Sequence, residues 1–346
     1  MSEHRVGKLK PSQTASLLEG AGGAFSKDLI VGPGPGLDAA VLDIGEGRVM
    51  VIAEDPIFPA PGLPLEIFGW FTVHIGASDV AVTGVRPQFM TYSLLLPPEF
   101  PEKDVKVIID SISYTAGNLG ICIAGGHTGW YPAVTVPTIG GVSVWGYAPS
   151  DQWISPGGAR EGDVVLMTKG PAVEAAALLA VLYRDKLRTS IKPEQLEQAC
   201  DRTRQITVVE EALAAFKAGG VHAMHDATEG GVLGGLWEMS ASSGVPVHAD
   251  LDAVPVPDDI AAVAQSLDFD PWVAISEGTL LLAVSPKFED GVIRALKETG
   301  VDCWRLGVFL DKQKTSGIRR GDREQKLVEP ESDPFWELFF KGISQT

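Results

Sequence analysis

The stretch Gly69-Trp-Phe-Thr-Val-His-Ile-Gly-Ala-Ser-Asp-Val-Ala-Val-Thr-Gly-Val-Arg-Pro87 decides how the first half of the chain is interpreted. Its small and apolar residues predict a helix that ends near Gly84, and the following Gln88–Leu96 predicts a strand. Asp79 lies in the middle of this apolar helix. A carboxylate in such surroundings is costly unless a cation or several hydrogen-bond donors meet it. Asp79 therefore indicates a cation or a polar cluster nearby.

Two apolar runs upstream of this helix predict a β-hairpin. They are Asp38–Leu42 and Arg48–Ala53, joined by a turn that contains Gly45-Glu-Gly47. A turn centred within its Glu-Gly dipeptide puts Asp38 and Asp55 directly opposite each other on the two strands. Like charges in that position destabilise a strand pair. They become favourable if a divalent cation lies between them, since magnesium binds carboxylate oxygens.

Three aspartates, Asp38, Asp55 and Asp79, together predict a magnesium and phosphate site. For Asp38 or Asp55 alone, an exposed strand end is the simpler interpretation, and only the set of three favours a metal. The glycines of Gly32-Pro-Gly-Pro-Gly36 could let backbone N–H groups approach a phosphate. A plain turn explains them equally well, and no Gly-Lys-Ser/Thr follows to complete a Walker loop.

The composition is that of an ordinary globular protein, and the length suggests two domains. The chain has 346 residues, of which 45% are hydrophobic and 21% are charged. The polar segment Ser150–Gly162 carries several glycines and a proline, so we place the boundary there. The predicted domains are 1–149 and 150–346.

Charge and cysteine usage exclude several classes of protein. The net charge of −17 argues against a nucleic-acid partner and suits a nucleotide-binding protein that recruits a metal. No run of about 18 apolar residues predicts a membrane span, and the N-terminus lacks the apolar segment of a secretory signal. The three cysteines, at positions 122, 200 and 303, show neither metal-ligand spacing nor a disulfide pattern. We therefore expect a cytoplasmic protein.

A second polar segment, Gly125-Gly-His-Thr-Gly129, follows the predicted strand Ile121–Ala124. A strand that delivers glycines, a histidine and a threonine into a loop places polar groups at a sheet edge, where ligands bind. Gly125, Gly126 and Thr128 are therefore candidate cofactor-binding residues. For His127 a catalytic role and a local hydrogen bond remain equally open.

The second half repeats this arrangement. The predicted strand Val221–Met224 runs into His225-Asp-Ala-Thr-Glu-Gly-Gly231, which precedes an apolar helix. Asp226 and Glu229 could hold a second cation or orient a substrate, and Gly230 at the helix start could offer its N–H group to an anion. Alternatively, Asp226 or Thr228 caps the helix and Glu229 complements its dipole. The same loop could serve both purposes.

Six motifs occur in order over nearly the whole chain. They are Leu37-Asp-Ala-Ala-Val-Leu, Glu54-Asp-Pro-Ile, Gly76-Ala-Ser-Asp-Val-Ala-Val-Thr-Gly-Val-Arg-Pro, Gly125-Gly-His-Thr, Thr168-Lys-Gly and His225-Asp-Ala-Thr-Glu-Gly-Gly. Together they resemble the aminoimidazole-ribonucleotide-synthetase (PurM)-like superfamily, which includes selenophosphate synthetase and thiamine-monophosphate kinase. The residues of these motifs, and of Ser276-Glu-Gly-Thr-Leu-Leu, are most similar to those of HypE-like hydrogenase-maturation proteins.

The resemblance implies a two-domain α/β fold. Its N-terminal domain, 1–149, would bind ATP and form a β-barrel across a homodimer, and 150–346 would be the C-terminal α/β domain. The resemblance also implies phosphorylation of an oxygen, often an amide or carbonyl oxygen, with ATP and Mg²⁺. By position, Asp38, Asp55 and Asp79 match the metal and phosphate ligands of the family. Asp226 matches a loop that faces the same cleft and would contribute to the metal site.

Several positions depart from the family pattern. Leu37 replaces one of two paired acids, and Glu54 stands where threonine or serine is usual. The sequence given ends Lys341-Gly-Ile-Ser-Gln-Thr346, without the terminal cysteine on which HypE carries its carbamoyl group. The first cysteine is Cys122, whereas selenophosphate synthetase has a reactive cysteine or selenocysteine near its N-terminus. These departures leave the substrate open.

We therefore expect a cytoplasmic, homodimeric enzyme that uses Mg²⁺ and ATP to phosphorylate an amide-type or carbonyl-type oxygen of a small or protein-borne substrate. Asp226 and His127 are the candidate catalytic residues if the reaction needs a base. The alternative is a nucleotide-binding scaffold that has lost catalysis and acts through protein partners in a maturation complex. Leu37 and the tail without a terminal cysteine favour the scaffold, whereas the costly acids favour the enzyme.

Overall fold

The computed structural model describes residues 6–20 and 22–343, and these form two compact units. The N-terminal unit comprises Ser26–Pro33 and Asp38–Trp153. The C-terminal unit comprises the described residues up to Phe25, Gly34–Leu37, and the chain from Ile154 onward. The domains 1–149 and 150–346 remain a prediction, and the expectations about the first five and last three residues lie outside the described ranges.

The N-terminal unit contains one mixed sheet and two of the helices. After α1 (Pro11–Leu18), which belongs to the C-terminal unit, its elements follow in chain order: β1 (Leu29–Val31), β2 (Ala40–Gly45), β3 (Arg48–Ile57), α2 (Leu65–Ala81), β4 (Phe89–Leu96), α3 (Glu102–Leu119), β5 (Cys122–Trp130) and β6 (Thr138–Pro149). The strand order is β1-β2-β3-β6-β4-β5. The apolar helix α2 packs on β3 and β6 and against α3. The apolar residues of the stretch Gly69–Pro87 therefore lie in the core of this unit.

The predicted hairpin is present as β2 and β3, but its predicted register is wrong by one residue. Ala40 pairs with Ile52 and Val41 with Val51, and the ladder is irregular between Asp43 and Gly45 near the turn. Asp38 precedes β2 and does not lie opposite Asp55. A one-residue irregularity at the turn displaces every later pair, which the sequence pattern did not reveal.

The predicted loop Gly125–Gly129 is instead the central part of strand β5. This edge strand pairs in parallel with β4, and the pairing shifts between Met90 and Thr91. Pairing with β4 overrides the low strand propensity of the glycines. Gly126 has φ +148°, and a Cβ atom there would collide with the carbonyl oxygen of Tyr92. Gly126 is therefore required by the strand itself.

The C-terminal unit contains a seven-stranded sheet of order β13-β12-β9-β11-β7-β10-β8 with helices around it. Its elements after α1 are β7 (Val164–Thr168), α4 (Val173–Leu182), α5 (Arg184–Leu187), α6 (Pro193–Asp201), α7 (Val209–Ala218), β8 (Val221–Asp226), α8 (Gly231–Ser243), β9 (Val247–Asp250), α9 (Asp258–Leu267), β10 (Leu280–Val284), α10 (Glu289–Glu298), β11 (Cys303–Phe309), β12 (Gly317–Arg320), β13 (Arg323–Lys326) and α11 (Pro334–Ile343). Strands β7 and β10 and the edge strand β8 are almost completely buried. No helix within the described ranges is long and apolar enough to cross a membrane.

The segment from Pro193 to Ala218 forms two helices, α6 and α7, which are separated by a 3-10 turn at Arg202–Gln205. The side chain of Lys169 accounts for the break. Its Nζ donates to the carbonyl oxygens of Gln205 at 3.3 Å and Thr207 at 2.6 Å. Because a buried ammonium satisfies these carbonyls, they need no helical N–H partner.

Gly126→Ala should lower the free energy of unfolding by roughly 1–3 kcal/mol, because alanine must adopt φ near +148° against the Tyr92 carbonyl. Gly125→Ala is the matched control. Its Cβ would meet only the Thr91 methyl carbon at 3.8 Å, so a loss below about 1 kcal/mol is expected. Urea unfolding of the two variants measures the difference, and equal losses would contradict this account of β5.

Candidate functional site

Asp55 carries the clearest sign of a missing partner in the N-terminal unit. It lies near the end of β3, where the pairing with β6 becomes irregular between Asp55 and Ile57. Its Oδ2 atom is buried and has no hydrogen-bond partner among the described residues. A buried carboxylate oxygen without a donor is costly, so Asp55 fits a cation ligand.

Asp79 and Asp38 are both half-buried. Asp79 lies in the last turn of α2, where the helix dipole is negative and an acid is unfavourable. Asp38 lies two residues before β2. The oxygens of Asp38, Asp55 and Asp79 do not all lie within 4.8 Å of one another, so the three side chains alone do not form a closed metal site. Their role as metal and cofactor ligands remains a prediction.

The candidate residues of β5, which are Gly125, Gly126, His127 and Thr128, are exposed along the sheet edge. His127 Nε2 lies 2.5 Å from the hydroxyl of Tyr131, so this histidine makes the local hydrogen bond that the sequence left open. The imidazole is exposed, so a ligand could take the place of Tyr131 as its hydrogen-bond partner. A ligand role for the four residues remains a prediction.

In the C-terminal unit, Asp226 ends β8, the last strand in the sheet order, and is completely buried. The N-cap of α8 is Gly230, with φ +83°, and no side chain caps the helix. The alternative in which Asp226 or Thr228 serves as the cap is therefore wrong. The N–H group of Gly230 donates to Asp333 Oδ2 at 2.9 Å. An anion at this helix start would have to displace the Asp333 carboxylate or use the later N–H groups.

His225, the residue before Asp226, forms a buried pair with Glu238. The two side chains are 1% and 7% exposed, and His225 Nε2 lies 2.9 Å from Glu238 Oε2. Burial alone would raise the pKa of the Glu238 carboxyl, but the hydrogen bond and charge of His225 lower it overall. The pair therefore keeps a charged carboxylate on the inner face of α8.

Glu174, in the first turn of α4, shows the opposite shift: its pKa is raised, whereas that of Glu238 is lowered. The pKa of its carboxyl is raised to about 8, mainly by burial and to a lesser extent by the nearby charges of Asp333 and Glu229, while a hydrogen bond from the Glu277 backbone opposes the rise. Burial also raises the pKa of Asp333 to about 6, although the N–H groups of Gly230 and other residues oppose this rise. At neutral pH, Glu174 is thus a proton-carrying acid.

Sequence reasoning missed Glu174, Glu238 and Asp333. Glu238 carried a usable signal, because it is an acid within the apolar run of α8, as Asp79 is within α2. Asp333 carried none, since it meets Gly230 from more than 100 residues away in the chain. Only the folded structure reveals contacts of that separation.

Glu174→Gln should change how stability depends on pH. Its folded pKa is about 8, against 4.5 for an exposed glutamate. Between these values the folded protein keeps a proton that the unfolded chain releases, so stability falls as pH rises. Glutamine does not titrate, so the variant should gain roughly 2–4 kcal/mol relative to the wild type between about pH 5 and about pH 8. Urea unfolding measures this gain, and the exposed Glu194→Gln is the control. A constant difference across the range would contradict the assignment.

Comparison with known proteins identifies the family. The models of the AIR synthase related protein match residues 36–146 with its N-terminal domain and residues 160–320 with its C-terminal domain. A carbamoyl dehydratase HypE of Cupriavidus necator is 28% identical over 284 residues, which cover 80% of this chain and 77% of that protein. A selenide, water dikinase of Aeromonas hydrophila is 28% identical over 261 residues, 73% of this chain and 70% of that protein.

Solved structures agree with the observed architecture. A HypE–HypF complex superposes with a TM-score of 0.73 at 20% identity, covering 91% of this chain and 100% of that chain. A hydrogenase maturation protein HypE in complex with ATP gives a TM-score of 0.68 at 21% identity, covering 86% and 89%. These likenesses confirm the PurM-like mixed α/β fold. With both domain models matched in order over most of its length, the chain belongs to the AIR synthase related protein family.

Proposed function

We propose that the chain is an ATP-dependent and Mg²⁺-dependent enzyme that phosphorylates an amide-type or carbonyl-type oxygen of a small or protein-borne substrate. The observation that carries the proposal is the buried Oδ2 atom of Asp55, which has no hydrogen-bond partner among the described residues. Relatives named as a carbamoyl dehydratase and a dikinase, and a HypE solved with ATP, support the use of the nucleotide.

Asp38, Asp55 and Asp79 would hold the magnesium. Asp55 fits this role because its buried oxygen lacks a donor, and Asp79 fits because the end of α2 makes its charge costly. Bound magnesium supplies the charge neutralisation on which phosphoryl transfer mainly depends. The exposed glycines of β5 and Thr128 would offer backbone and hydroxyl groups to the nucleotide.

Asp226 and Glu229 would bind metal or orient the substrate in the C-terminal unit. An amide or carbonyl oxygen has no proton to lose when it accepts a phosphoryl group, so such a substrate needs no general base. If the acceptor is a hydroxyl group, Asp226 and His127 are the candidate bases. The substrate's own chemistry therefore decides whether these two residues are catalytic.

We also propose that the protein forms a homodimer. The sheets of the two N-terminal units would join to form one β-barrel across the two chains. Both edge strands, β1 and β5, are largely exposed. Ile30 on β1 is 48% exposed, and Trp130 on β5 is 42% exposed. Open strand edges with apolar side chains are prone to pair with another chain. A second copy would cover them.

Thermal unfolding with Mg²⁺ alone, ATP alone and both together tests the metal site. A ligand at 100 times its dissociation constant stabilises by about 2.7 kcal/mol, so a large shift that needs both components is expected. Asp55→Asn should raise stability in EDTA by about 1 kcal/mol, because it removes an unmet buried charge. The same variant should lose the combined shift and ATP turnover.

Asp110→Asn is the control for Asp55→Asn, because Asp110 is exposed and paired with Lys106 at 2.5 Å. It should leave the ligand shift and the turnover unchanged. If Asp55→Asn retains the full shift, Asp55 does not hold the metal. If the wild type binds Mg-ATP but no acceptor elicits turnover that depends on Asp55, the scaffold that acts through protein partners becomes the better explanation.

Ile30→Lys should shift the protein from dimer to monomer, since a charge at the centre of β1 opposes strand pairing across the interface. Ile44→Lys is the matched control, because Ile44 is 43% exposed on the neighbouring strand β2, near its hairpin turn. Light scattering after size-exclusion chromatography measures the mass of each. A dimer that survives Ile30→Lys as fully as Ile44→Lys does not use the β1 edge.

A further inference from the structure

His127 on strand β5 and Tyr131, just after the end of that strand, form a side-chain pair. The Tyr131 hydroxyl lies 2.5 Å from His127 Nε2, and the two ring centroids are 5.9 Å apart at an angle of 35°. Both side chains are exposed, and neither belongs to the core of the N-terminal unit. Contacts other than core packing must therefore hold the pair in place.

The backbone around Tyr131 is fixed by hydrogen bonds on both sides. Its N–H group donates to the carbonyl oxygen of Leu96 at 2.8 Å, and its own carbonyl oxygen accepts from the N–H group of Val134 at 3.0 Å. The preceding Trp130 donates from its indole Nε1 to the carbonyl oxygen of Phe100 at 2.9 Å. These bonds set the point from which the Tyr131 ring extends.

Gly129 leaves the space that the Tyr131 ring occupies. A Cβ atom at position 129 would lie 3.0 Å from Cε2 of the ring and 3.1 Å from its hydroxyl oxygen. The ring thus folds back over the backbone of Gly129 to reach His127. A larger residue at position 129 would push the hydroxyl away from the imidazole, so the pair depends on this glycine.

The short distance between His127 and Tyr131 indicates which group donates. Hydrogen bonds from N–H groups to oxygen span about 2.7–3.2 Å, whereas those from hydroxyl groups reach down to about 2.5 Å. The separation of 2.5 Å therefore fits a hydroxyl donor and an imidazole nitrogen acceptor. With Nε2 as the acceptor, the one ring proton of neutral His127 lies on Nδ1.

The Nδ1–H group of His127 has no acceptor in the part of the chain that the structure describes, where Tyr131 is the hydrogen-bond partner of this histidine. His127 lies between Gly126 and Thr128, two residues proposed to meet the nucleotide. A phosphate oxygen is charged and can only accept hydrogen bonds, so an N–H group beside these residues is complementary to it.

We propose that Tyr131 is a positioning residue, and that the histidine it holds, His127, donates its Nδ1–H to a phosphate oxygen of the nucleotide instead of acting as a base. The inference rests on the proposed function, which supplies the nucleotide. A neutral imidazole whose Nε2 accepts from Tyr131 and whose Nδ1 is protonated has no nitrogen free to take a proton. Asp226 therefore remains the candidate base for a hydroxyl acceptor.

Nitrogen-15 NMR of the histidine side chains, in protein without nucleotide, tests the pair itself. Protonated and unprotonated ring nitrogens differ widely in chemical shift, and His127→Gln identifies the signals of this residue among the six histidines. The proton of neutral His127 should lie on Nδ1 in the wild type. A proton on Nε2 would overturn the proposal.

Variants of the pair test whether Tyr131 sets this protonation. Tyr131→Phe removes the hydroxyl and Gly129→Ala presses on the ring, so both should reduce the preference for Nδ1–H. Tyr114→Phe is the matched control, because Tyr114 is 73% exposed on α3, and it should leave the His127 signals unchanged. A Tyr131→Phe spectrum that equals the wild-type spectrum at His127 would also overturn the proposal.

Isothermal titration calorimetry with Mg-ATP tests the contact with phosphate. Asparagine places its amide nitrogen near the position of Nδ1, whereas glutamine places it near that of Nε2. His127→Asn should therefore bind Mg-ATP within about threefold of the wild type and retain turnover, whereas His127→Gln should bind about tenfold more weakly. Tyr131→Phe should weaken binding about threefold, and Tyr114→Phe should not change it. Circular dichroism establishes that each variant is folded.

The outcomes separate this inference from the proposed function. If the wild type does not bind Mg-ATP, the phosphate contact and the proposed function are both wrong. If the wild type binds and turns over ATP, but His127→Asn and His127→Gln lose affinity equally or both lose all turnover, only the donor role of His127 is wrong. Complete loss of turnover in both variants would assign His127 as a base.

Discussion

The ammonium of Lys169 is the contact on which the centre of the C-terminal unit depends. Only 9% of its side chain is exposed, and it contacts Glu211 at 2.7 Å and the carbonyl of Gly278 at 2.9 Å, besides the two carbonyls between α6 and α7. One cation thus joins strand β7 to three separate segments. Removing a buried charge of this kind typically costs about 3–5 kcal/mol. The loop that leads into β10 is therefore placed by this lysine.

The free-energy cost of burying a carboxylate is offset in three different ways in this protein. Burial raises the pKa of Glu211, and the adjacent Lys169 lowers it, so a cation of the chain offsets the charge in part. His225 provides the hydrogen bond that keeps Glu238 charged. Glu174 instead keeps its proton, which removes the charge altogether. Each solution has a different dependence on pH, because each stabilises a different protonation state.

The sequence predicted elements better than contacts. The helix around Asp79 and the strand that ends at Asp226 follow from local apolar patterns, which need no knowledge of distant residues. The hairpin register failed because one irregular residue near the turn shifts all later pairs. The loop predicted at Gly125–Gly129 is wrong because pairing with β4 holds these glycines in strand β5. Local propensity does not include a partner that is distant in the chain. The contact between Asp333 and Gly230 had no local signal at all.

Acids that serve folding differ from acids that serve a ligand in whether the folded chain itself satisfies them. A carboxylate with its own histidine, ammonium or proton is already satisfied when the chain has folded. Asp55 instead keeps a buried oxygen that no described donor meets. This arrangement does not improve folding, since water would solvate the carboxylate better in an unfolded chain. A cation of external origin would supply the contact that the folded chain does not, and this is the physical reason for the metal-binding role proposed for Asp55.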